Sequence, residues 1–238
     1  SRSPSERDSQ ALPPASMILD FLFPERCVVC SIEGQSLCGS HSLSSYVIDP
    51  VNRCPVCFVH RGPQGCPKCA GQDIYFSYHS SIYDYRGAVR DLIHRWKFEN
   101  ERSVFKVFLP ELTRRLGRMN ADRIGVIGSD LRTRSFAHSL DLLRAGKGAG
   151  LCGGVDFIKK RIGKKHKQSQ RNQAGRYFEI RGSLECVRDL SLVKHYVLLD
   201  DVFTTGATAN EAARMARIAG AEKVSVLTVA MREDLEHV

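Results

Sequence analysis

Residues 195–210 read HYVLLDDVFTTGATAN, and this stretch decides the fold. An apolar run ends in two carboxylates, Asp200 and Asp201, and a turn of small and hydroxyl-bearing residues follows at 204–208. With the amphipathic segment after the turn, the pattern predicts a strand, an acidic pair, a loop and a helix start. Carboxylates at a strand end accept hydrogen bonds from ribose hydroxyls, directly or through the water shell of Mg2+, and amides at a helix N-terminus bind phosphate. The stretch therefore predicts a site for a phosphorylated sugar.

The stretch has two other interpretations. A nucleotide triphosphatase loop is excluded because no Lys follows Gly206 in a G-K-[ST] pattern. An ordinary strand, turn and helix of an α/β core is disfavoured, since two adjacent acids repel each other unless a ligand or ion balances them. Asp200 and Asp201 would hold the ribose, and they are the candidate catalytic residues if the chain is an enzyme. The residues predicted to bind the 5′-phosphate are Thr204, Thr205, Gly206, Ala207 and Thr208.

The same stretch resembles the phosphoribosyl pyrophosphate (PRPP) motif of type I phosphoribosyltransferases, in which an apolar strand and two acids precede T-T-G-x-T. Every fixed position of that motif is matched here. The resemblance implies an α/β fold of the type I phosphoribosyltransferase kind, with a Rossmann-like parallel sheet flanked by helices. It also implies that PRPP, or its fragment ribose 5-phosphate, is the ligand and that Mg2+ binds together with PRPP.

The composition is that of a globular protein without a membrane segment. The chain has 238 residues, of which 42% are hydrophobic, enough for one core of ordinary size and a small appended module. No apolar run approaches the ~20 residues that cross a bilayer. Residues 1–16 are polar and contain proline but no apolar h-region, so no secretory signal is expected there. We expect a disordered extension at 1–16 and a cytoplasmic, reducing location.

The net charge of +9 is concentrated in one part of the chain. Residues 131–195 contain fifteen Lys or Arg and five Asp or Glu, a net charge of +10, and eight of these bases lie in 159–176 without an acid. A basic field of this kind favours polyanionic ligands such as pyrophosphate esters, nucleotides or nucleic acid. The alternative, a solvated loop of a basic protein, stays open on composition alone.

Seven of the nine cysteines lie between positions 27 and 69, and six of them form C-x-x-C pairs. The seventh forms a fourth pair with a histidine. Two ligands three residues apart bind one side of a tetrahedral zinc ion, and a second pair completes its shell, which predicts two structural zinc ions. Disulfides are disfavoured by the missing secretion signal and by the repeated short spacings. Interleaved pairing, in which the ligand pairs of the two sites alternate along the chain, stays open. The simpler, sequential pairing gives one site of Cys27, Cys30, Cys38 and His41 and another of Cys54, Cys57, Cys66 and Cys69.

Three segments are predicted from these patterns: the extension 1–16, a double zinc-ribbon module at 17–72 and a phosphoribosyltransferase-like α/β domain at 73–238. The zinc module has few large apolar residues, so metal must supply its folding energy. In the α/β domain, strands alternate with helices, as expected of a doubly wound parallel sheet with ligands at the carboxyl ends of its strands. The glycine-rich run 148–153 follows a helix and is interpreted as a mobile connection.

Two further stretches carry a wider resemblance. Residues 23–30 (FPERCVVC) and residues 83–98 (YDYRGAVRDLIHRWKF) accompany the PRPP motif in this chain. The first resembles the opening, and the second the tyrosine-to-lysine segment, of the ComF/GntX-like family of phosphoribosyltransferase-related proteins, known for a role in DNA uptake during natural competence. The match runs from about Phe21 to Met231. It implies an N-terminal double zinc ribbon on a type I phosphoribosyltransferase fold.

The chain departs from this family at residues 125–138, GVIGSDLRTRSFAH. The family has a V-P-V-P loop and an R-G-F-N-Q segment there, and the loop would hold the pyrophosphate, whereas both prolines are missing here. Gly128 and Ser129 can still form an amide-lined turn for pyrophosphate, although Asp130 opposes the anion. We expect this departure to affect catalysis more than it affects the binding of the sugar phosphate. Further candidate ligands of the pyrophosphate are Lys97, Arg134, Lys164, Lys165 and Lys167.

Two functions fit these patterns. An enzyme would transfer the phosphoribosyl group of Mg-PRPP to an acceptor that no residue identifies, and would stabilise the charge that grows on the leaving pyrophosphate. The alternative is a non-catalytic PRPP- or nucleotide-sensing protein that binds single-stranded DNA, with Tyr75, Phe76 and Tyr78 stacking on bases. These aromatic residues also fit a packing role at the hinge between the modules. Lys97 is equally consistent with a surface lysine whose stem covers apolar atoms.

Overall fold

The computed structural model divides the chain into two compact units, Ser1–His41 and Ser42–Val238. The predicted boundaries after residues 16 and 72 stay predictions. The residues that the structure describes are 24–58, 66, 69, 73–99, 101–128, 136–159 and 180–232. The predicted features that lie outside them are the extension 1–16, Ser129, Asp130, Arg134, and Lys164, Lys165 and Lys167 of the basic segment.

The first unit is held by turns rather than by an apolar core. The Cys27 carbonyl accepts a hydrogen bond from Ser31 N–H at 2.8 Å, and Cys27 N–H donates to the Ile32 carbonyl at 2.9 Å. Arg26 and Glu33 form an isolated bridge and an ion pair of 2.6 Å. Few side chains in the described part of this unit are buried. Over residues 24–41, the part of this unit that the structure describes, turns and hydrogen bonds rather than buried apolar contacts order the chain.

The second unit contains one sheet and four helices among its described residues. None of these helices is long and apolar enough to cross a membrane. Short 3-10 helices lie at Ser44–Tyr46 and Arg102–Val104. The elements, in chain order, are β1 (Tyr78–Asp84), α1 (Gly87–Phe98), α2 (Phe105–Gly117), β2 (Arg123–Gly128), α3 (Phe136–Gly148), β3 (Cys152–Lys159), β4 (Leu184–Cys186), β5 (His195–Phe203), α4 (Ala207–Ile218) and β6 (Lys223–Met231).

The six strands follow the order β1-β6-β5-β2-β3-β4. All neighbouring strands are parallel except β4, which pairs antiparallel with β3. This arrangement confirms the predicted α/β fold class, a mostly parallel sheet flanked by helices. From β2 the chain moves to β3 on one side, and from β5 it moves to β6 on the other. The topological switch point, where ligands bind in open α/β sheets, therefore lies between β2 and β5.

The two strands at the switch point separate toward their carboxyl ends. They pair from Arg123 with Tyr196 to Val126 with Leu199. Beyond that point β2 shifts register and stays paired with β3, while Asp200 remains paired with β6. Beyond this last pair β2 and β5 are no longer hydrogen-bonded to each other, and this is the end of the sheet where open α/β sheets have their ligand crevice.

The helices cover both faces of the sheet. On one face, the buried alanines of α4 let this helix pack closely against Tyr196 and Leu198 of β5 in the main core cluster. Because side chains alternate along a strand, Asp201 of β5 points to the opposite face. There it contacts side chains of both α1 and α3. Each large apolar side chain that is fully buried in these layers stabilises the fold by about 1.5–3 kcal/mol.

The glycine-rich run 148–153 differs from its prediction as a mobile connection. Its last two residues, Cys152 and Gly153, belong to the sheet, because Cys152 begins strand β3. Gly153 is needed for packing, because a Cβ atom there would lie 2.3 Å from Ile124 Cγ1 of the neighbouring strand. Glycine here marks the close approach of two chain segments within the sheet.

The three aromatic residues before β1 have separate surroundings. Phe76 is buried in the main core cluster, and Tyr75 packs against that cluster. Phe76 and Tyr75 therefore have a packing role, which was the alternative to stacking on bases. Tyr78 is different, since 37% of it is exposed.

Candidate functional site

Strand β5 carries the acidic pair within the strand rather than at its end. The apolar run that predicts this strand ends at Leu199, but the strand continues through Asp200 and Asp201 to Phe203. The additional residues stay in the sheet because β6 continues to pair with them, as far as Phe203 with Met231. Both acids lie beyond the last pairing of β5 with β2, so they lie at the crevice.

The turn after β5 places the five predicted phosphate-binding residues at the start of α4. Gly206 is the N-cap of this helix and has φ 76°, a left-handed conformation that glycine adopts at little cost. The Gly206 carbonyl accepts a hydrogen bond from Asn210 N–H at 2.8 Å, and Ala207 N–H lies 3.4 Å from Thr205 Oγ1. Backbone donors, hydroxyls and the positive end of the α4 dipole are thus close together, which suits a phosphate.

The turn rests on a buried aromatic stack. A Cβ atom on Gly206 would lie 2.5 Å from Phe203 Cζ, so the turn is in direct contact with this ring. Phe203 stacks on His79 of β1 with ring centroids 3.8 Å apart and an interplanar angle of 22°. Burial lowers the pKa of His79 to about 3, so its imidazole is neutral and stacks without a charge. His79 Nε2 is also 3.2 Å from Thr228 Oγ1. The stack fixes the backbone beneath the turn.

Lys97 and His138 meet at Asp201. Lys97 Nζ of α1 lies 2.6 Å from Asp201 Oδ2, and His138 Nε2 of α3 lies 3.4 Å from the same oxygen. The side chain of Asp201 is 7% exposed and that of Lys97 is 24% exposed. Lys97 is therefore more than a surface lysine, because its charge is paired with an acid of the PRPP motif.

The two acids have different surroundings, since neighbouring residues of a strand point to opposite faces. Asp201 is buried on the face of α1 and α3, whereas Asp200 is half-buried on the face of α4. Asp200 Oδ1 accepts a hydrogen bond from Asp201 N–H at 2.9 Å. Asp200 is thus the more accessible carboxylate for a sugar, and Asp201 is the more constrained one.

A second buried carboxylate holds α1 and α3 in place. Asp141 of α3 is fully buried and accepts a hydrogen bond from Trp96 Nε1 of α1 at 3.1 Å. Arg102 Nη2 donates to the same carboxylate at 2.6 Å. Trp96 also packs edge-on against His138, with ring centroids 5.7 Å apart. This network fixes the two helices that meet at Asp201.

The other predicted pyrophosphate ligands are only partly described. Gly128 ends β2, the strand that borders the crevice opposite β5. Ser129 and Arg134 lie outside the described residues. The predictions missed His138, although it follows the expected pyrophosphate loop closely in sequence. No local pattern marks this histidine, because its position beside Asp201 depends on the path of α3 across the sheet.

The structure gathers the eight predicted metal ligands into two groups, and the pairing is sequential. Within each group the ligand atoms all lie within 4.8 Å of one another. Sulfur atoms about 2.3 Å from a tetrahedral zinc ion lie about 3.8 Å apart. The Cys30 and Cys38 Sγ atoms are 3.7 Å apart, and those of Cys54 and Cys69 are 3.9 Å apart. The groups are Cys27, Cys30, Cys38 and His41, and Cys54, Cys57, Cys66 and Cys69.

One cysteine of each group, Cys27 and Cys54, has a lowered pKa and favours the thiolate that binds zinc, whereas burial and the neighbouring Cys57 raise the pKa of Cys69. Burial acts to raise the pKa of Cys27, but backbone hydrogen bonds, the largest at Cys38, outweigh it and lower the pKa to about 6. Backbone hydrogen bonds also lower the pKa of Cys54 against the effect of burial. Three thiols with an imidazole, and four thiols, are donor sets that fit structural zinc ions.

The chain is similar in sequence to a curated bacterial protein. Competence protein ComFC from Streptococcus pneumoniae is 25% identical over 232 residues, which cover 86% of this chain and 99% of the relative. No family model matches the chain.

Similarities to solved structures are more limited. A purine phosphoribosyltransferase from Pyrococcus horikoshii is 16% identical, with 56% of this chain and 77% of that chain covered and a TM-score of 0.39. The allosteric regulatory enzyme of purine biosynthesis is 23% identical, with 53% of this chain covered and a TM-score of 0.36. This chain spans about a quarter of that enzyme, 26% of its length.

Three observations relate the chain to a competence protein: its similarity to the curated relative, the order of the strands in the sheet and the two groups of metal ligands. All three agree with the motifs read from the sequence. The chain is thus a relative of a competence protein over most of its length, and its predicted resemblance to the ComF/GntX-like family is confirmed.

Proposed function

We propose that the chain binds Mg-PRPP at the crevice between β2 and β5 and transfers the phosphoribosyl group to an acceptor, with release of pyrophosphate. One observation carries the proposal: the acid pair, the Gly206 turn and the start of α4 all lie at the topological switch point of the sheet. The similarity to competence protein ComFC supports it, and from that relative's name we infer that the chain acts in DNA uptake.

Each part of the site has a role in this proposal. Asp200 accepts hydrogen bonds from the ribose hydroxyls, and the turn 204–208 binds the 5′-phosphate through N–H and Thr O–H groups. Lys97 has three N–H donors, of which Asp201 uses one, so the others remain for oxygens of the pyrophosphate. Mg2+ enters with the substrate and shares the charge of the pyrophosphate. Catalysis then consists mainly of positioning and of stabilising the charge that grows on the leaving group.

A PRPP sensor without turnover is the second candidate. The specific observation in its favour is the loss of both prolines from the segment 125–138, where the pyrophosphate loop is expected. Such a protein would bind PRPP through the turn 204–208 and would not release pyrophosphate.

Release of pyrophosphate separates the two candidates. We expect the zinc-loaded chain to release pyrophosphate from Mg-PRPP in the presence of one or more acceptors from a panel of bases and amines. Asp200→Asn keeps the shape of the side chain but removes its charge, so we expect it to reduce the rate by about a hundredfold or more, comparable to the loss of one electrostatic contact in other active sites. PRPP binding without release, across the whole panel, would favour the sensor. If the chain neither binds PRPP nor releases pyrophosphate, both the enzyme and the sensor are contradicted.

We also propose that each group of metal ligands holds one structural zinc ion. Elemental analysis of the purified chain is expected to give about two zinc ions per molecule, because both groups have the four donors of a closed tetrahedral site. His41→Ala should remove one equivalent, and Cys69→Ala should remove the other. One zinc ion or none in the unmodified chain, or loss of both ions in either variant, would contradict two independent sites.

A further inference from the structure

A cavity of about 530 Å³ lies at the opposite end of the sheet from the PRPP motif. It is lined by Tyr78 of β1, His195 of β5 and Lys223 of β6, each at the start of its strand, and by the end of α2. Asp201 follows His195 along β5 on the same face, and at ~3.3 Å per residue the two are about 20 Å apart. The volume falls within the range of about 300–1,000 Å³ of small-molecule sites. The cavity is therefore large enough for a ligand and separate from the PRPP motif.

The wall of the cavity is cationic. Arg114 and Arg115 of α2 and Arg118, the C-cap of this helix, line it, and Lys223 adds a fourth positive charge. Glu111 pairs with both Arg114 and Arg115, so it offsets one of these charges. In the part of the chain that the structure describes, Arg118 and Lys223 form no ion pair. Asp122 Oδ2 accepts a hydrogen bond from His195 N–H at 2.7 Å, so four cations stand against two carboxylates. The net charge of +2 favours an anionic ligand.

The rest of the lining is aromatic, apolar and hydroxylic. Tyr78 lines the cavity and is 37% exposed, and Met119 and Leu227 add apolar surface. Ser80 adds a hydroxyl. A base can stack on an aromatic ring, and guanidinium groups bind phosphate oxygens in pairs. A bare anion would leave the apolar surface without contacts, and an apolar ligand would leave the cations without partners.

The floor of the cavity is ordered by hydrogen bonds. His195 Nδ1 lies 3.2 Å from the Asn120 carbonyl, which can only accept, so Nδ1–H is the donor. In the neutral imidazole, Nε2 then accepts the hydroxyl hydrogen of Ser225 at 2.9 Å. These contacts hold β5, β6 and the turn after α2 in one arrangement. Binding therefore needs little ordering of the floor.

We propose that this cavity binds a nucleotide, with its phosphates on Arg118 and Lys223 and its base on Tyr78. The net positive charge suits the several negative charges of a nucleoside diphosphate. The nucleotide is either free or one unit of single-stranded DNA, and both present the same chemistry, a phosphate ester that carries a base. None of the residues assigned to PRPP lines the cavity, so the inference does not depend on the proposed function.

The test is a calorimetric titration of ADP into the zinc-loaded chain in the presence of excess Mg-PRPP, which competes for the PRPP motif. We expect ADP to bind and the double substitution Arg118→Gln with Lys223→Gln to raise its Kd by about tenfold or more, because two charge-assisted contacts are lost. Tyr78→Ala should raise the Kd as well. Lys106→Gln is the control for the loss of a single positive charge: Lys106 is an exposed residue of α2 outside the cavity, and its substitution should leave the Kd unchanged.

A single-stranded oligodeoxythymidylate identifies the source of the nucleotide. If ADP binds and the oligonucleotide does not, the ligand is a free nucleotide; if only the oligonucleotide binds and the double variant weakens it, the ligand is single-stranded DNA. Pyrophosphate binding as tightly as ADP would make this a plain anion site and would overturn the proposal. So would binding of neither probe, displacement of ADP by Mg-PRPP, or an equal loss in the Lys106→Gln chain.

Discussion

Gly206→Ala is expected to lower the free energy of unfolding by about 2–5 kcal/mol and to abolish PRPP binding, because two effects add. The φ angle of 76° costs an L-residue about 1–2 kcal/mol. The new Cβ atom would lie 2.5 Å from Phe203 Cζ, and forcing a methyl group into a filled site costs about 1–3 kcal/mol. Phe203 cannot move aside freely, since it stacks on His79. The turn must shift instead, and its N–H groups would no longer converge on a phosphate.

Gly150→Ala is the matched control for this variant. Gly150 has φ 75°, and no atom lies within 4 Å of the Cβ position. It therefore carries the backbone strain without the steric contact, and the expected loss is about 1–2 kcal/mol with PRPP binding unchanged. Urea denaturation measures both losses, and calorimetry measures binding. Equal losses in the two variants would show that Gly206 does not pack on Phe203 as described.

The pair of Lys97 and Asp201 should give the second large effect. Removing one member of a buried pair leaves its partner without a counter-charge, at a cost of about 3–5 kcal/mol when both are fully buried. Because Lys97 is 24% exposed, we expect Lys97→Met and Asp201→Asn each to cost about 3 kcal/mol or less. The double variant should lose less than the sum, with a coupling energy of about 1–3 kcal/mol. Lys97→Met should also weaken PRPP binding.

Arg90 and Asp91 provide the control pair for this double-mutant cycle. They lie on the same helix, α1, and form an ion pair of 3.1 Å with side chains that are 61% and 46% exposed. Solvent screens such pairs, so the cycle of Arg90→Met with Asp91→Asn should show little coupling. A coupling between Lys97 and Asp201 as small as that of the control would mean that their contact adds no specific stability. Full PRPP affinity in Lys97→Met would remove this lysine from the site.

The strand, turn and helix around the PRPP motif could be predicted because their signals are local. An apolar run, a glycine that must adopt positive φ and an amphipathic segment follow one another within residues 195–219. The metal ligands were predictable for the same reason, since each C-x-x-C pair is a single turn. The groups of the structure contain the predicted residues in the simplest pairing.

The contacts that complete the site could not be predicted in this way. Lys97 and His138 reach Asp201 from two helices that are distant from it in sequence, so only the packing of the sheet brings them together. The different surroundings of Asp200 and Asp201 follow from the continuation of β5, which depends on its pairing with β6. Strand β3 was missed because the glycines at its start, which permit close packing, resemble those of a loop.

The most direct test of the central claim is a calorimetric titration of Mg-PRPP into the zinc-loaded chain and into its Asp200→Asn variant. The account predicts saturable binding of about one PRPP per chain through the Asp200–Thr208 segment. Asp200 is half-buried, so its substitution should leave the fold intact and weaken binding by about tenfold or more, the loss expected when an accepting carboxylate is removed. No heat from PRPP or ribose 5-phosphate at millimolar concentration, or equal affinity in the Asp200→Asn variant, would contradict the claim.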